Sequence, residues 1–306
     1  MSTALSAAVE SLRPLPVGYQ ALFARLLAVT EPDQRVRGLW LSGSVGRGTA
    51  DAGSDLDVVV TVADASFQDF CAGWRDWLAS ITATIIARDI PGVPGAFYSV
   101  TPGCERFDVV VERVSDIASA HGASRLAVID RDSLAAHLSS VAAEQAGPSP
   151  AVLSSILEEF FRHQVIFPAA VVAREDWLLG VVAVGNVQRM LYEILVEANQ
   201  PLPAMGVKQW SSRLTAGQRA HLESLPVPNP RRVEVLEAML AVRLAMLTLG
   251  RETVTRCGVA WPEELAAATT AYHERELGTS AASSSPEAAA SAFRTSPMTR
   301  IATPGE

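Results

Sequence analysis

The residues best suited to chemistry in this chain lie in LSGSVGRGTADAGSDLDVVV, residues 41–60. Gly43-Ser44 opens a polar, glycine-rich loop, and the loop leads to Asp55 and Asp57 at the head of a run of valines. Residues two apart on a strand project from one face, so Leu56 and Val58 would point into a core while both carboxylates point into a cleft. Two like charges held that close repel, and a cation between them removes the conflict. Mg2+ suits the pair, because this hard ion commonly takes one or two protein carboxylates together with a substrate's phosphate oxygens. Asp108, in RFDVVVERV, repeats the signature of an acid flanked by strand hydrophobics. On a neighbouring strand it would complete a two-metal site or accept a proton from an attacking hydroxyl.

The glycine–serine turn supplies the complementary groups. Gly43 lets the backbone approach a phosphate closely, and Ser44 offers a hydroxyl and an N–H. A helix beginning there would add favourable positive potential. Arg47 stands one short step further and can grip a terminal phosphate. Ser54, just before Asp55, can donate another hydrogen bond. Glu112 shares a strand face with Asp108 and is a reserve candidate for the base; otherwise Glu105 and Glu112 read as solvated charges.

Around these residues the pattern is that of strands and helices in alternation. Apolar residues at helical spacing predict a short helix ending near Arg13 and a second over about 17–29. VRGLWLSG reads as a strand, 44–53 as a loop and DLDVVVTV as a second strand. Residues 65–80 read as one helix with its aromatics facing the core. Strands follow in ITATIIARDI, FYSVT, RFDVVVERV and RLAVIDRDS, with a helix near 114–121. EQAGPSP, residues 144–150, reads as a linker. Beyond it the pattern is helical over 151–173, 176–198, 211–223, 231–249 and 262–276. The serine-, alanine- and proline-rich tail lacks bulky periodic residues and is expected to be disordered. The expected organisation is a small α/β domain over 1–146, a helical domain over 151–278 and a tail over 279–306.

Composition bounds the function. With 306 residues, 49% of them hydrophobic and 19% charged, the chain reads as globular with ample core. A net charge of −8 disfavours an extended nucleic-acid track, which needs a basic stripe; a short nucleotide needs only one or two placed cations. The basic residues are 24 arginines and the single Lys208. No long uncharged apolar run reads as a membrane span, and the N-terminal stretch lacks the pattern of an export signal. Cys71, Cys104 and Cys257 are few and far apart, which fits buried thiols in a reducing cytoplasm. The expected assembly is a monomer or a small homo-oligomer. His121, His137, His163, His221 and His273 show no metal-ligand spacing and read as structural or surface residues.

Gly43-Ser44, Asp55-Leu56-Asp57-Val58 and Asp108 together resemble the nucleotidyltransferase superfamily related to DNA polymerase β, over roughly residues 38–115. The resemblance implies an α/β (α+β) fold with a mixed sheet, bound Mg2+, and transfer of a nucleoside monophosphate from ATP or another NTP with release of pyrophosphate. Asp176-Trp177, Arg189-Met190-Leu191-Tyr192 and Lys208-Gln209-Trp210 are similar to the bacterial streptomycin/spectinomycin adenylyltransferases, which carry a helical second domain. That similarity implies that Arg189 and Lys208 contact the nucleotide phosphates, with ATP between the domains. Leu178, Leu179, Gly180 and Val181 stand where those enzymes carry drug-binding acids, so a polycationic acceptor is not implied. The expected acceptor is a small hydroxylated molecule. Adenylylation of a protein or a tRNA end, and a non-catalytic nucleotide-binding module, are the alternatives.

Overall fold

A computed structural model of the chain describes residues 3–119, 125–139, 147–202 and 209–277. Lys208, His121, the first part of the predicted linker and the predicted disordered tail lie outside the described residues. The chain divides near residue 145 into two compact units.

The first unit opens with α1 (Thr3–Ser11) and α2 (Val17–Thr30), separated at the prolines that interrupt the helical spacing. Strand β1 (Val36–Leu41) leads into the single helical turn α3 (Gly43–Gly46), and β2 (Leu56–Val62) follows the polar loop. The helix predicted over 65–80 is divided instead, into a short 3-10 turn, α4 (Phe67–Ala72) and α5 (Trp74–Ile81). The break falls at Gly73, whose backbone freedom disfavours helix. Then come β3 (Ile86–Asp89), β4 (Ala96–Val100), β5 (Arg106–Arg113) and β6 (Leu126–Asp130). In place of a helix near 114–121 there is a 3-10 turn, Val114–Ser119.

These six strands form one mixed sheet in the order β3-β4-β5-β2-β1-β6. Among them only β2 and β5 pair in parallel, in continuous register from Leu56↔Phe107 to Val62↔Arg113. Leu56, Val58, Val60 and Val62 point with Phe107, Val109 and Val111 into a core that α2, α4 and α5 cover with Leu22, Phe23, Phe70 and Trp77. The opposite face is covered only in part, by Trp40, Val59, Ile117 and Leu134. The sheet therefore has one sealed face and one that is apolar in the middle and polar at the strand ends where the acids lie.

The second unit is helical: α6 (Pro150–Phe167), α7 (Trp177–Ala198), α8 (Ala216–Glu223), α9 (Arg232–Ala245), α10 (Arg251–Arg256) and α11 (Glu263–Leu277). Three of the starts are capped by side chains suited to it: Ser149 accepts from the Val152 N–H, Asp176 from that of Leu179, and Thr215 forms a capping box with Gln218. Two long predicted helices widen into π turns, at Pro168–Val172 and Met246–Gly250. At the first, the proline lacks the N–H that the regular ladder needs. Helix α7 is long and apolar enough to cross a membrane, but half of its most apolar window is buried, and Val184, Val187, Leu191 and Leu195 lie in the helical core. The three cysteines are free; contrary to expectation Cys104 is exposed, in a turn with φ 65°, and Cys71 and Cys257 are only half-buried.

His273 on α11 is buried, with one ring nitrogen 2.7 Å from the Gln164 carbonyl oxygen. Burial lowers its pKa from 6.5 to about 4; the bond to Gln164 opposes the shift and the charge of Arg243 adds to it. The folded protein thus holds the ring neutral where the unfolded chain binds a proton. Stability from this group is complete above pH 6.5 and is lost as pH falls toward about 4, a swing of roughly 3 kcal/mol. His273→Gln should flatten the unfolding free energy of the helical unit across that window, as read by denaturant melts at about pH 4.5 and pH 7.

Candidate active site

Asp57 and Asp108 are direct partners across the parallel β2/β5 pair, and Asp55 immediately precedes β2. Carboxylate oxygens of Asp55, Asp57 and Asp108 all lie within 4.8 Å of one another, each side chain half-buried. Like charges placed directly opposite on paired strands destabilise a sheet. The chain carries this cost at the end of the open face, where all three side chains are half-buried. An all-oxygen carboxylate set of this size suits a hard divalent cation.

The turn before β2 is built around Asp57. Gly43 has φ +58° and lies so close to the Asp57 carboxylate that a β-carbon there would overlap Oδ2. Glycine is needed twice over, for a left-handed conformation and for room. The Ser42 N–H donates to the Asp57 carbonyl at 2.8 Å, tying the start of α3 to the strand that bears the acid. Ser44 Oγ and Arg47 Nε are both buried and have no hydrogen-bond partner among the described residues. Buried polar atoms are rarely left unpaired, and these two belong to the turn that the Ser42–Asp57 bond ties to β2.

The remaining sequence candidates are placed differently. Ser54 donates its hydroxyl to Asp51 Oδ1 at 3.1 Å and accepts from the Asp51 N–H at 3.0 Å, so it closes the loop and does not present a spare donor. Glu112, read as a solvated charge or reserve base, is neither: Arg125 grips it with two bonds of 2.6 and 2.9 Å, and Thr61, itself accepting from the Trp40 indole, donates to it at 2.7 Å. Glu105 accepts from the Thr101 hydroxyl in the turn before β5. In the helical unit Arg189 pairs with Glu193 at 2.7 Å and lines a cavity of about 400 Å3 with Tyr192 and Trp210, whose rings stack at 4.1 Å. Lys208 lies outside the described residues, so its predicted phosphate contact has no structural counterpart here.

One residue escaped the sequence reading. Arg106 reaches within 3.5 Å of Asp55 and donates to the Gly53 carbonyl at 2.6 Å, so it partly offsets the acid charge and fixes the loop end. Its place two residues before Asp108, hence on the same strand face, was the available signal.

Three comparisons with known proteins bear on this arrangement. Residues 26–87 match the family model described as the nucleotidyltransferase domain, a stretch that contains the glycine–serine turn, Asp55 and Asp57. No curated protein matches the chain in sequence. Among solved structures, the chain is similar to an aminoglycoside 6-adenyltransferase from Bacillus subtilis, at 13% identity over 85% of this chain and 97% of that one, with a TM-score of 0.39. By its matched segment and the one acid, Asp108, that the fold adds to it, the chain resembles the nucleotidyltransferase superfamily.

Proposed function

We propose that the chain transfers a nucleoside monophosphate from ATP or another NTP to the hydroxyl of a small acceptor, releasing pyrophosphate. The observation that carries this reading is the convergence of Asp55, Asp57 and Asp108 on the open face of the sheet, next to two buried donors without partners among the described residues. The donor set fits Mg2+, with Asp55 and Asp57 as its holders; bound there, the ion would neutralise charge on the triphosphate and the leaving pyrophosphate.

The chain's own groups supply the rest. Ser44 Oγ and the Arg47 guanidinium bind phosphate oxygens, which satisfies their missing hydrogen bonds. Asp108, on the strand nearer the β3 edge of the sheet, orients the acceptor hydroxyl and takes its proton. The acceptor oxygen bonds to the α-phosphorus as the bond from that atom to the β-phosphate oxygen breaks. Positioning and fixed charge account for most of the acceleration in such transfers. The net charge of −8 and the apolar, core-facing α7 support a cytoplasmic enzyme acting on small molecules, without nucleic acid or membrane.

Thermal shift with NTPs and Mg2+, followed by pyrophosphate release across hydroxylated acceptors, tests the reading. Nucleotide should raise the melting temperature only when Mg2+ is present, because a ligand that binds only the folded state stabilises it by mass action. Arg47→Met should weaken that stabilisation about tenfold in apparent nucleotide affinity, the scale of one charged hydrogen bond. Nucleotide binding with no transfer to any acceptor, small or macromolecular, would leave a binding module in place of the enzyme.

A further inference from the structure

The register of the sheet extends the acid pair sideways to the sheet's edge. Asp57 pairs with Asp108, Asp108 with Tyr98 on β4, and Tyr98 with Arg88 on β3. Residues directly opposite on paired strands share a face, so Asp57, Asp108, Tyr98 and Arg88 form one row across the open side. Tyr98 is half-buried and Arg88 is exposed. The neighbour of Arg88, Asp89, points to the other face, where it accepts from the Trp74 indole at 2.7 Å and pairs with Arg75 at 2.8 Å. Arg88 is thus the one charged side chain that β3 and β4 add to the acid-bearing face, and it has no hydrogen-bonding or ion-pairing partner among the described residues. The other charges nearby are committed, Arg106 to Asp55 and Glu112 to Arg125. Beyond the three acids, the described strands therefore present a spare cation on the acceptor side of Asp108 and no spare carboxylate.

Resting on the transfer reading above, we infer that the acceptor is an anionic hydroxyl compound, its hydroxyl at Asp108 and its carboxylate or phosphate held by Arg88, with Tyr98 beneath the atoms between them. Neighbouring strands lie about 4.8 Å apart, so two strand steps from Asp108 to Arg88 span about 10 Å. That matches a single sugar-sized ring carrying an exocyclic acid group. A guanidinium fork suits both carboxylate and phosphate. It also offsets the repulsion that the acid cluster exerts on such a substrate, whereas a polycationic acceptor would find Arg88 in its way. In the transfer the acceptor hydroxyl loses its proton to Asp108, its oxygen joins the α-phosphorus, pyrophosphate departs, and the anionic group is unchanged.

The test is pyrophosphate release with matched acceptor pairs: a hexuronate against its parent hexose, a hexose phosphate against the same hexose, and a polycationic aminocyclitol. The wild type should favour the charged member of at least one anionic pair; which pair responds distinguishes carboxylate from phosphate. Arg88→Met should reduce the charged-to-neutral ratio of kcat/KM by about tenfold or more, the scale of one charged hydrogen bond, through KM and not kcat. Arg88→Lys should restore part of the ratio. A charged residue on an edge strand also discourages strand pairing, but that role would leave the ratio unmoved. Preference for neutral or cationic acceptors, or a ratio unchanged in Arg88→Met, overturns this inference and leaves the transfer reading standing. No release with any acceptor, together with no Mg2+-dependent nucleotide binding, overturns both.

Discussion

Asp57→Asn is expected to give a protein that is more stable without metal than the wild type and almost inactive. The side chain keeps its shape, so the packing of β2 against β5 is preserved. The charge it loses is one of three whose oxygens lie within 4.8 Å of each other. At that separation each like pair costs on the order of 3 kcal/mol at an effective dielectric of about 20, less where solvent screens it. Arg106 offsets part of the charge on Asp55, at 3.5 Å, and Asp57 faces Asp108 directly across the strand pair. Removing Asp57 should therefore raise the metal-free melting temperature and abolish the further rise that Mg2+ gives the wild type. Pyrophosphate release should fall by at least about 10²–10³-fold, the usual effect of losing one preorganised electrostatic group. Wild-type turnover in this variant would remove Asp57 from the chemistry. Lowered stability without metal would mean that the three acids are not held in mutual repulsion.

Gly43→Ala should be nearly as damaging by a different route. Its β-carbon would meet Asp57 Oδ2 in a space too small for both, in a backbone conformation that alanine disfavours. The backbone part costs about 1–2 kcal/mol. The steric part pushes the carboxylate aside, and displacements near 1 Å cost about 10²-fold in rate. Gly48→Ala is the control: φ there is +70°, and an added β-carbon meets nothing within 4 Å. Both variants should lose the backbone part of the stability in thermal melts, Gly43→Ala somewhat more through the displaced carboxylate, but only Gly43→Ala should lose pyrophosphate release on that scale. Equal activities in the two would show that the close approach of Gly43 to Asp57 is structural alone.

Much of this was legible in the amino-acid sequence itself. Prolines and glycines marked the ends of most elements, and the β-branched runs of β2 and β5 identified themselves as strands. The alternation in Asp55-Leu56-Asp57-Val58 placed the acids on one face and the apolar side chains on the other. The sequence misled where one residue acts on its surroundings more than its neighbours suggest. Gly73 divided an aromatic helix, and Pro168 turned the end of another into a π turn. Ser54 looked like a phosphate donor by proximity, yet a closer partner, Asp51, takes its hydroxyl. Glu112 looked solvated until Arg125 and Thr61, each far from it along the chain, closed around it.

Local pattern determined what each strand is and which side chains share its faces, because those follow from φ, ψ and a two-residue repeat. Which strands meet, and in what register, was decided by the tertiary structure alone. The β3–β4 hairpin separates β2 from β5 along the chain, yet β5 lies directly beside β2 in the sheet. Their register is held by burying Leu56, Val58 and Val60 with Phe107, Val109 and Val111 in one core. A slip of one residue would turn those side chains out to solvent and the acids inward. Packing on the sealed face thereby sets Asp57 opposite Asp108 on the open one, with Tyr98 and Arg88 in line beyond them.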